Sequence, residues 1–337
     1  MRSCTGRLDK AMIRRVWRWG RLIGGAGILA LLGWRLGSDP FINGMKVVDR
    51  TTLTAALVIG AATTVLSAWR WSLVARGLGM RVPLQSAIRA YYRSLFINAV
   101  LPGGVLGDVH RAVRHGRGVG NVTRAAKAVV LERTAGQIVL VSVVLTVLVL
   151  DPSSILPQAL PQMLAGSGAM AIAVIAILGT AILVVHGRSR WTAKVRAWGI
   201  DVRHGLLSSG SRLGILTASV GILAGHLATF VIAARAAGST ASFVTLAPLL
   251  LFALLAMTLP LNVGGWGPRE GATAWAFSAA GLGASQGLTV AVVYGMFAFV
   301  ASLPGVAVLA AGWIVRARAD RRPQPTTVTP AALPAIS

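Results

Sequence analysis

The chain has 337 residues and a formal net charge of +24, yet 55% of its residues are hydrophobic and only 12% are charged. That balance excludes a soluble basic fold, so the positive charge is read through membrane topology and not through a nucleic-acid partner. A helix needs about 20 predominantly apolar residues to cross a bilayer, and the runs 51–74, 167–185, 213–233 and 288–315 supply them.

Residues 1–21 form a basic leader in which Arg14, Arg15, Arg18 and Arg21 precede the apolar run 22–32. Trp34 and Arg35 follow directly, with no small-residue cleavage site, so the run is expected to stay as an anchor with the leader in the cytoplasm. The single cysteine, Cys4, lies in that leader and has no internal disulfide partner. The connection 37–50 mixes Asp39 and Asp49 with Lys46 and Arg50 and is placed outside. After the run 51–74, Arg70, Arg76, Arg81, Arg89 and Arg93 return the chain to the cytoplasm, where basic residues concentrate.

The segment 87–109 is apolar but broken by Asn98, Pro102, Gly103, Gly104, Gly107 and Asp108, and is followed by Arg111, Arg114, Arg117, Arg124 and Lys127. With both flanks cytoplasmic it reads as a re-entrant hairpin, whose irregular backbone must be enclosed by protein or line a polar cavity. A third span, 128–150, begins near Glu132 and Arg133, where snorkelling to the interface is open to both. It reaches an almost uncharged loop with Asp151, Pro152, Pro157 and Pro161. The fourth span returns to a basic loop bearing Arg188, Arg190, Lys194, Arg196, Arg203 and Arg212.

The fifth span, 213–233, goes outward and carries His226. The segment 244–281 contains Gly264, Gly265, Gly267, Pro268, Arg269 and Glu270 in its middle. Either a second re-entrant hairpin or two full crossings preserves the parity of the last span, 288–315, which ends at Arg316 and Arg318. The fold class expected is an all-α polytopic membrane protein with about six full spans and two re-entrant helical hairpins, or eight or more hydrophobic helices. The domains are the leader 1–21, a transmembrane region 22–315 and a disordered cytoplasmic tail 316–337, poor in apolar residues. The units 51–150 and 213–315 would insert with opposite orientation, the pattern of an inverted repeat around a transport site; coincidental Gly/Pro breaks are the alternative.

Charges inside a bilayer are costly unless paired or hydrated, which singles out Asp108, Glu132, Arg133, Arg269 and Glu270. They either fix helix ends as structural pairs or use arginine, a directed phosphate donor, to hold an anionic headgroup. His110 and His115 lack the convergent carboxylates of a metal site, and neither a cofactor nor a metal is expected. Trp17, Trp19, Trp34, Trp69, Trp71 and Trp313 read as interfacial anchors. No Walker loop, G-x-S-x-G or zinc-protease signature is present.

The motif 98–108, the pair Glu132 and Arg133, and the motif 259–270 together resemble the transmembrane domain of the lysylphosphatidylglycerol synthase/flippase family, over roughly 51–315. By that resemblance Asn98, Pro102 and Gly107 map to a first loop and Asp108 stands where glutamate is commoner. Glu132 and Arg133 match the next pair, Gly136 stands where aspartate is common, and Gly265, Gly267 and Glu270 match the later loop. The resemblance implies lipid translocation without aminoacyl transfer, as in a stand-alone translocase-like part. The expected function is a flippase or transporter of an anionic phospholipid or polyprenyl-phosphate-linked lipid in the cytoplasmic membrane. Its rivals are a membrane enzyme acting on lipid-linked substrates and a structural subunit beside an envelope-lipid-processing enzyme. Candidate contacts add Arg111 to the residues already named, with Arg269 paired with Arg133 or Arg111 around the anion.

The topology is checked by single-cysteine labelling in a Cys4→Ser background: positions in the leader, the 188–212 loop and the tail should react only with reagent admitted to the cytoplasmic side. Labelling of the 188–212 loop from outside would reverse the assignment.

Overall fold

A computed structural model of the protein describes residues 27–101, 104–150, 189–208, 210–258 and 266–320. The leader, the run 167–185, Pro102, Gly103, Gly264 and Gly265, and the tail beyond 320 lie outside the described residues. Within them the chain is helical, with no β-strand. A short apolar helix α1 (Gly27–Leu36) leads to α2 (Asp39–Lys46), α3 (Arg50–Gly77), α4 (Leu84–Val100), α5 (Leu106–Gly118) and α6 (Val122–Leu150). Then come α7 (Ser189–Leu206), α8 (Arg212–Ala236), α9 (Phe243–Ala256), α10 (Pro268–Ala279), α11 (Ala284–Ser302) and α12 (Pro304–Asp320). Among the described residues α3, α6, α8 and the run Ala284–Ile314 are long and apolar enough to cross a membrane.

Local chemistry explains several boundaries. Asp49 caps α3: its carboxylate accepts from the Thr52 hydroxyl and from the Thr52 amide at 2.7 Å, and these bonds hold its carboxyl below the usual range. Asn121 caps α6, its side-chain oxygen accepting from the Arg124 amide at 2.9 Å. The third span therefore begins at Val122 and not at 128, so Glu132 sits about three turns inside it, roughly 15 Å from its start at the rise of a helix. Snorkelling does not apply to Glu132, which is fully buried. The last span stands as the run Ala284–Ile314, but within it Pro304 lacks an amide donor and the helix is interrupted at Leu303 between α11 and α12. The supposed outer loop 37–50 contains α2, whose Gly44 rests against Val292 of α11, and the basic 188–212 loop contains α7.

Two short-armed hairpins sit between the long helices. The arms α4 and α5 have 17 and 13 residues and those of the second hairpin, α9 and α10, have 14 and 12. At 1.5 Å per residue the longest spans about 25 Å, short of the roughly 30 Å hydrocarbon core, which favours hairpins over paired full crossings. The first closes tightly because Gly107 lies against the Ser94 backbone, where any Cβ would collide with the carbonyl oxygen. It returns to the level it left: Ala75, near the end of α3, packs in one cluster with Ala125 and Ala128, near the start of α6.

The main core gathers Phe230, Leu250, Phe277, Tyr294 and Phe297 from α8 to α11. A second cluster holds Trp71, Tyr91, Ala112 and Ala125 from α3 to α6. The two meet along α3 and α8, where Gly214, Gly221 and Gly225 admit Leu73, Leu66 and Thr63. Small residues of this kind let membrane helices approach closely.

Gly287 tests the packing of α10 on α11, since a Cβ there would lie 2.5 Å from the Thr273 carbonyl oxygen and 3.0 Å from the Ala274 Cα. Gly287→Ala should cost about 1–3 kcal/mol in thermal unfolding of the detergent-solubilised protein. Gly118→Ala, with nothing within 4 Å, should be nearly neutral; equal melting temperatures for both variants would refute this packing.

Candidate functional site

Glu132 on α6 is the centre of a buried charge cluster drawn from four helices. Its Oε1 accepts from Arg70 Nε of α3 at 3.0 Å, from Arg70 Nη2, and from the Tyr91 hydroxyl of α4 at 3.1 Å. Its Oε2 accepts from Arg111 Nη2 of α5 at 3.2 Å. The same Arg111 nitrogen donates to Asp108 Oδ1 at 2.9 Å, while Arg133 Nη2 reaches Asp108 Oδ2 at 2.7 Å. Ser94 and the Asn98 amide complete the donors around Asp108, at 3.1 and 3.3 Å.

Asn98 has a second task, since its side-chain oxygen accepts from the Gly107 amide at 2.7 Å and staples the end of α4 to the start of α5. Arg111 is sandwiched between the rings of Trp71 and Tyr91, 4.6 and 4.2 Å from its guanidinium carbon. Its Nε and Nη1, buried without a hydrogen-bond acceptor, are served instead by the π faces.

The second charged motif is self-contained at the start of α10. Gly267 has φ 119°, a conformation that favours glycine, and its amide donates to Glu270 Oε2 at 2.6 Å. Glu270 Oε1 accepts from Arg269 through Nε at 2.9 Å and through Nη2. The Arg269 guanidinium lies over Trp266 and Tyr294, at 5.0 and 5.4 Å. Gly295 leaves it room, since a Cβ there would strike Nη2 and come within 3.0 Å of the Trp266 ring. Tyr294 stacks on Phe230 and hydrogen-bonds His226 Nδ1 at 2.9 Å.

Both motifs border one cavity of about 370 Å³. Asn98 and Gly104 at the turn of the first hairpin, and Thr258 and Trp266 at that of the second, form parts of its wall together with Arg70, Arg133, Arg269 and His226. The exposed residues Arg133 and Gln137 of α6 and Ala298 and Phe299 of α11 line it too, so it opens between these two long helices.

Of the sequence-selected residues, Asn98, Arg133 and Arg269 line the cavity, whereas Asp108, Glu132 and Glu270 stand behind the arginines. Gly107 and Gly267 shape the backbone, and Pro102 and Gly265 lie outside the described residues. Arg111 does not border the cavity, because its aromatic sandwich and two carboxylates hold it in the core. Two expectations are overturned. Arg70, grouped with the cytoplasmic basic residues, turns inward, and Gly136 makes space for it, with a Cβ there only 2.8 Å from its Nη1. Trp71, read as an interfacial anchor, is 1% exposed; Trp34 and Trp313 are exposed. Tyr91, Ser94, Ser219, Trp266 and Tyr294 were not singled out from sequence; an aromatic or hydroxyl inside an apolar helix carries no local mark of the charge it meets.

Comparison with known proteins places the cavity in context. A family model described as lysylphosphatidylglycerol synthase TM region matches residues 19–305. No curated protein and no solved structure matches the chain.

Because Glu132 compensates both Arg70 and Arg111, its loss should be the more damaging. Glu132→Gln is expected to cost about 3–5 kcal/mol in thermal unfolding in detergent. Arg70→Met should cost less, since Arg111 continues to neutralise Glu132. An Arg70→Met loss as large as that of Glu132→Gln would contradict this ordering.

Proposed function

The chain belongs to the lysylphosphatidylglycerol synthase TM region family, and from that premise we propose that it translocates an anionic phospholipid or a polyprenyl-phosphate-linked lipid across the cytoplasmic membrane. The family carries the coarser conclusion, a multi-pass membrane protein with a lipid-related role. The observation that supports the finer one is the convergence of both hairpin turns and of Arg70, Arg133 and Arg269 on one cavity. Arginine presents several directed donors to a phosphate. The opening between α6 and α11 suits a headgroup that enters sideways while its acyl chains remain in lipid.

The arrangement of the two hairpins also favours an inverted repeat. Arg70 and Glu132 bracket the first hairpin on α3 and α6, and His226 and Tyr294 bracket the second on α8 and α11. With the amino terminus and tail inside, the two units enter from opposite faces, which is how many transporters build a site near the midplane.

The experiment is reconstitution into liposomes with acyl-labelled anionic lipids and measurement of leaflet exchange. Arg269→Lys keeps the charge but loses the planar fork, and Arg269→Gln loses both. In variants that insert and fold normally, both should translocate more slowly, the glutamine variant by roughly tenfold or more, equivalent to losing about 1.4 kcal/mol. Wild-type transport by Arg269→Gln would remove Arg269 from the site.

A further inference from the structure

The charged side chains that line the cavity are Arg70, Arg133 and Arg269; among the described residues no carboxylate lines it. The carboxylates sit in the layer behind and are already engaged. Glu132 takes Arg70 and Arg111, Asp108 takes Arg111 and Arg133, and Glu270 takes Arg269. In the first cluster three guanidinium groups therefore meet two carboxylates, while Arg269 and Glu270 cancel. One positive charge is left over in that cluster, and its exposed member, Arg133, faces the cavity while keeping its bond to Asp108.

A wall that presents guanidinium groups and no carboxylate attracts anions and repels cations, so the occupant that suits this cavity is one that brings a single negative charge. A phosphodiester with an uncharged headgroup does so. A lysylated phosphatidylglycerol does not, since its two ammonium groups outweigh its phosphate and would meet guanidinium groups with no acidic side chain to receive them. The remaining polar wall, including Asn98, Gln137 and Ser219, is neutral and suits hydroxyl groups better than ammonium.

We infer that the cavity selects phosphodiester lipids with a net single negative charge and rejects aminoacylated, cationic headgroups. This deepens the translocation reading and rests on it. The selectivity lies in the surplus guanidinium charge, and it is reversible by a carboxylate placed on the wall. Gln137 is the place for one, being exposed at the opening and isosteric with glutamate. Gly136 is a second, because its missing Cβ points at the Arg70 guanidinium.

The test uses the full-length protein in phosphatidylcholine liposomes with trace acyl-labelled phosphatidylglycerol or lysylphosphatidylglycerol, and follows loss of label from the outer leaflet. Phosphatidylglycerol should exchange at least roughly tenfold faster, as expected where like charges are brought together. Gln137→Glu should narrow that ratio to within a few-fold, chiefly by slowing phosphatidylglycerol. If Gln137→Glu does not fold, Gly136→Asp serves, and protein melting temperature reports folding for both. Equal rates for the two lipids in the wild type, or an unchanged ratio in a folded carboxylate variant, would overturn the selectivity while leaving translocation standing. If neither lipid moves, translocation fails instead, and calorimetric titration of the same two lipids in detergent decides the selectivity. Tighter phosphatidylglycerol binding would support it, and equal or tighter lysylphosphatidylglycerol binding would overturn it.

Discussion

A carboxylate with no solvent exposure, Glu132, is the constraint around which the first half of the molecule is arranged. In an apolar interior an ionised carboxylate persists only with donors on its lone pairs, and one helix cannot supply them. Glu132 therefore gathers Arg70 from α3, Tyr91 from α4 and Arg111 from α5. These contacts fix the relative depth of four helices, because each partner meets the others at a single height along its axis. They also hold α4 against α5, beside the Asn98–Gly107 hydrogen bond that joins their ends.

The second half meets the same demand with less charge. Glu270 satisfies itself within one turn, bonding the Gly267 amide before it and the adjacent Arg269. What crosses to α11 is aromatic: Arg269 over Tyr294, Tyr294 on Phe230, and the Tyr294–His226 hydrogen bond. One motif is thus a knot between helices and the other a rigid helix start. The difference explains why the positive surplus sits on the side of Arg70 and Arg133.

Long helices, and the helix ends at Val100, Leu106, Ala256 and Pro268 that flank the two predicted breaks, were legible in the sequence because a bilayer makes apolar length and Gly/Pro interruption into strong signals. So were the carboxylates and most of the arginines, since an ionisable group in an apolar run is conspicuous. Arg70 was misread because the preference of basic residues for the cytoplasm describes loops on average and says nothing of one side chain whose partner lies 62 residues away. Trp71 failed for the same reason: an aromatic near a helix end is usually at the interface, but here Arg111 claims its face. Glu132 was assigned to the wrong depth because the basic residues Arg124 and Lys127 looked like loop, whereas Asn121 caps a helix that runs through them.

The ion pairs are partitioned between the two halves of the molecule. Each pair around the cavity lies within one half: Arg70, Arg111 and Arg133 bond carboxylates on α5 and α6, and Arg269 bonds Glu270 on its own helix. Between the halves the described contacts along α3 and α8 are the glycine seam and one hydrogen bond, from Arg70 Nη1 to the Ser219 hydroxyl at 3.0 Å. Apolar packing joins them as well, with Ala56 of α3 and Leu140 of α6 in the main core and Gly305 of α12 against the Tyr92 backbone of α4. Arg133 and Arg269 stand in different halves and line one cavity, each with its own counter-ion, so the apolar packing between the halves is what brings the two guanidinium groups to a common wall.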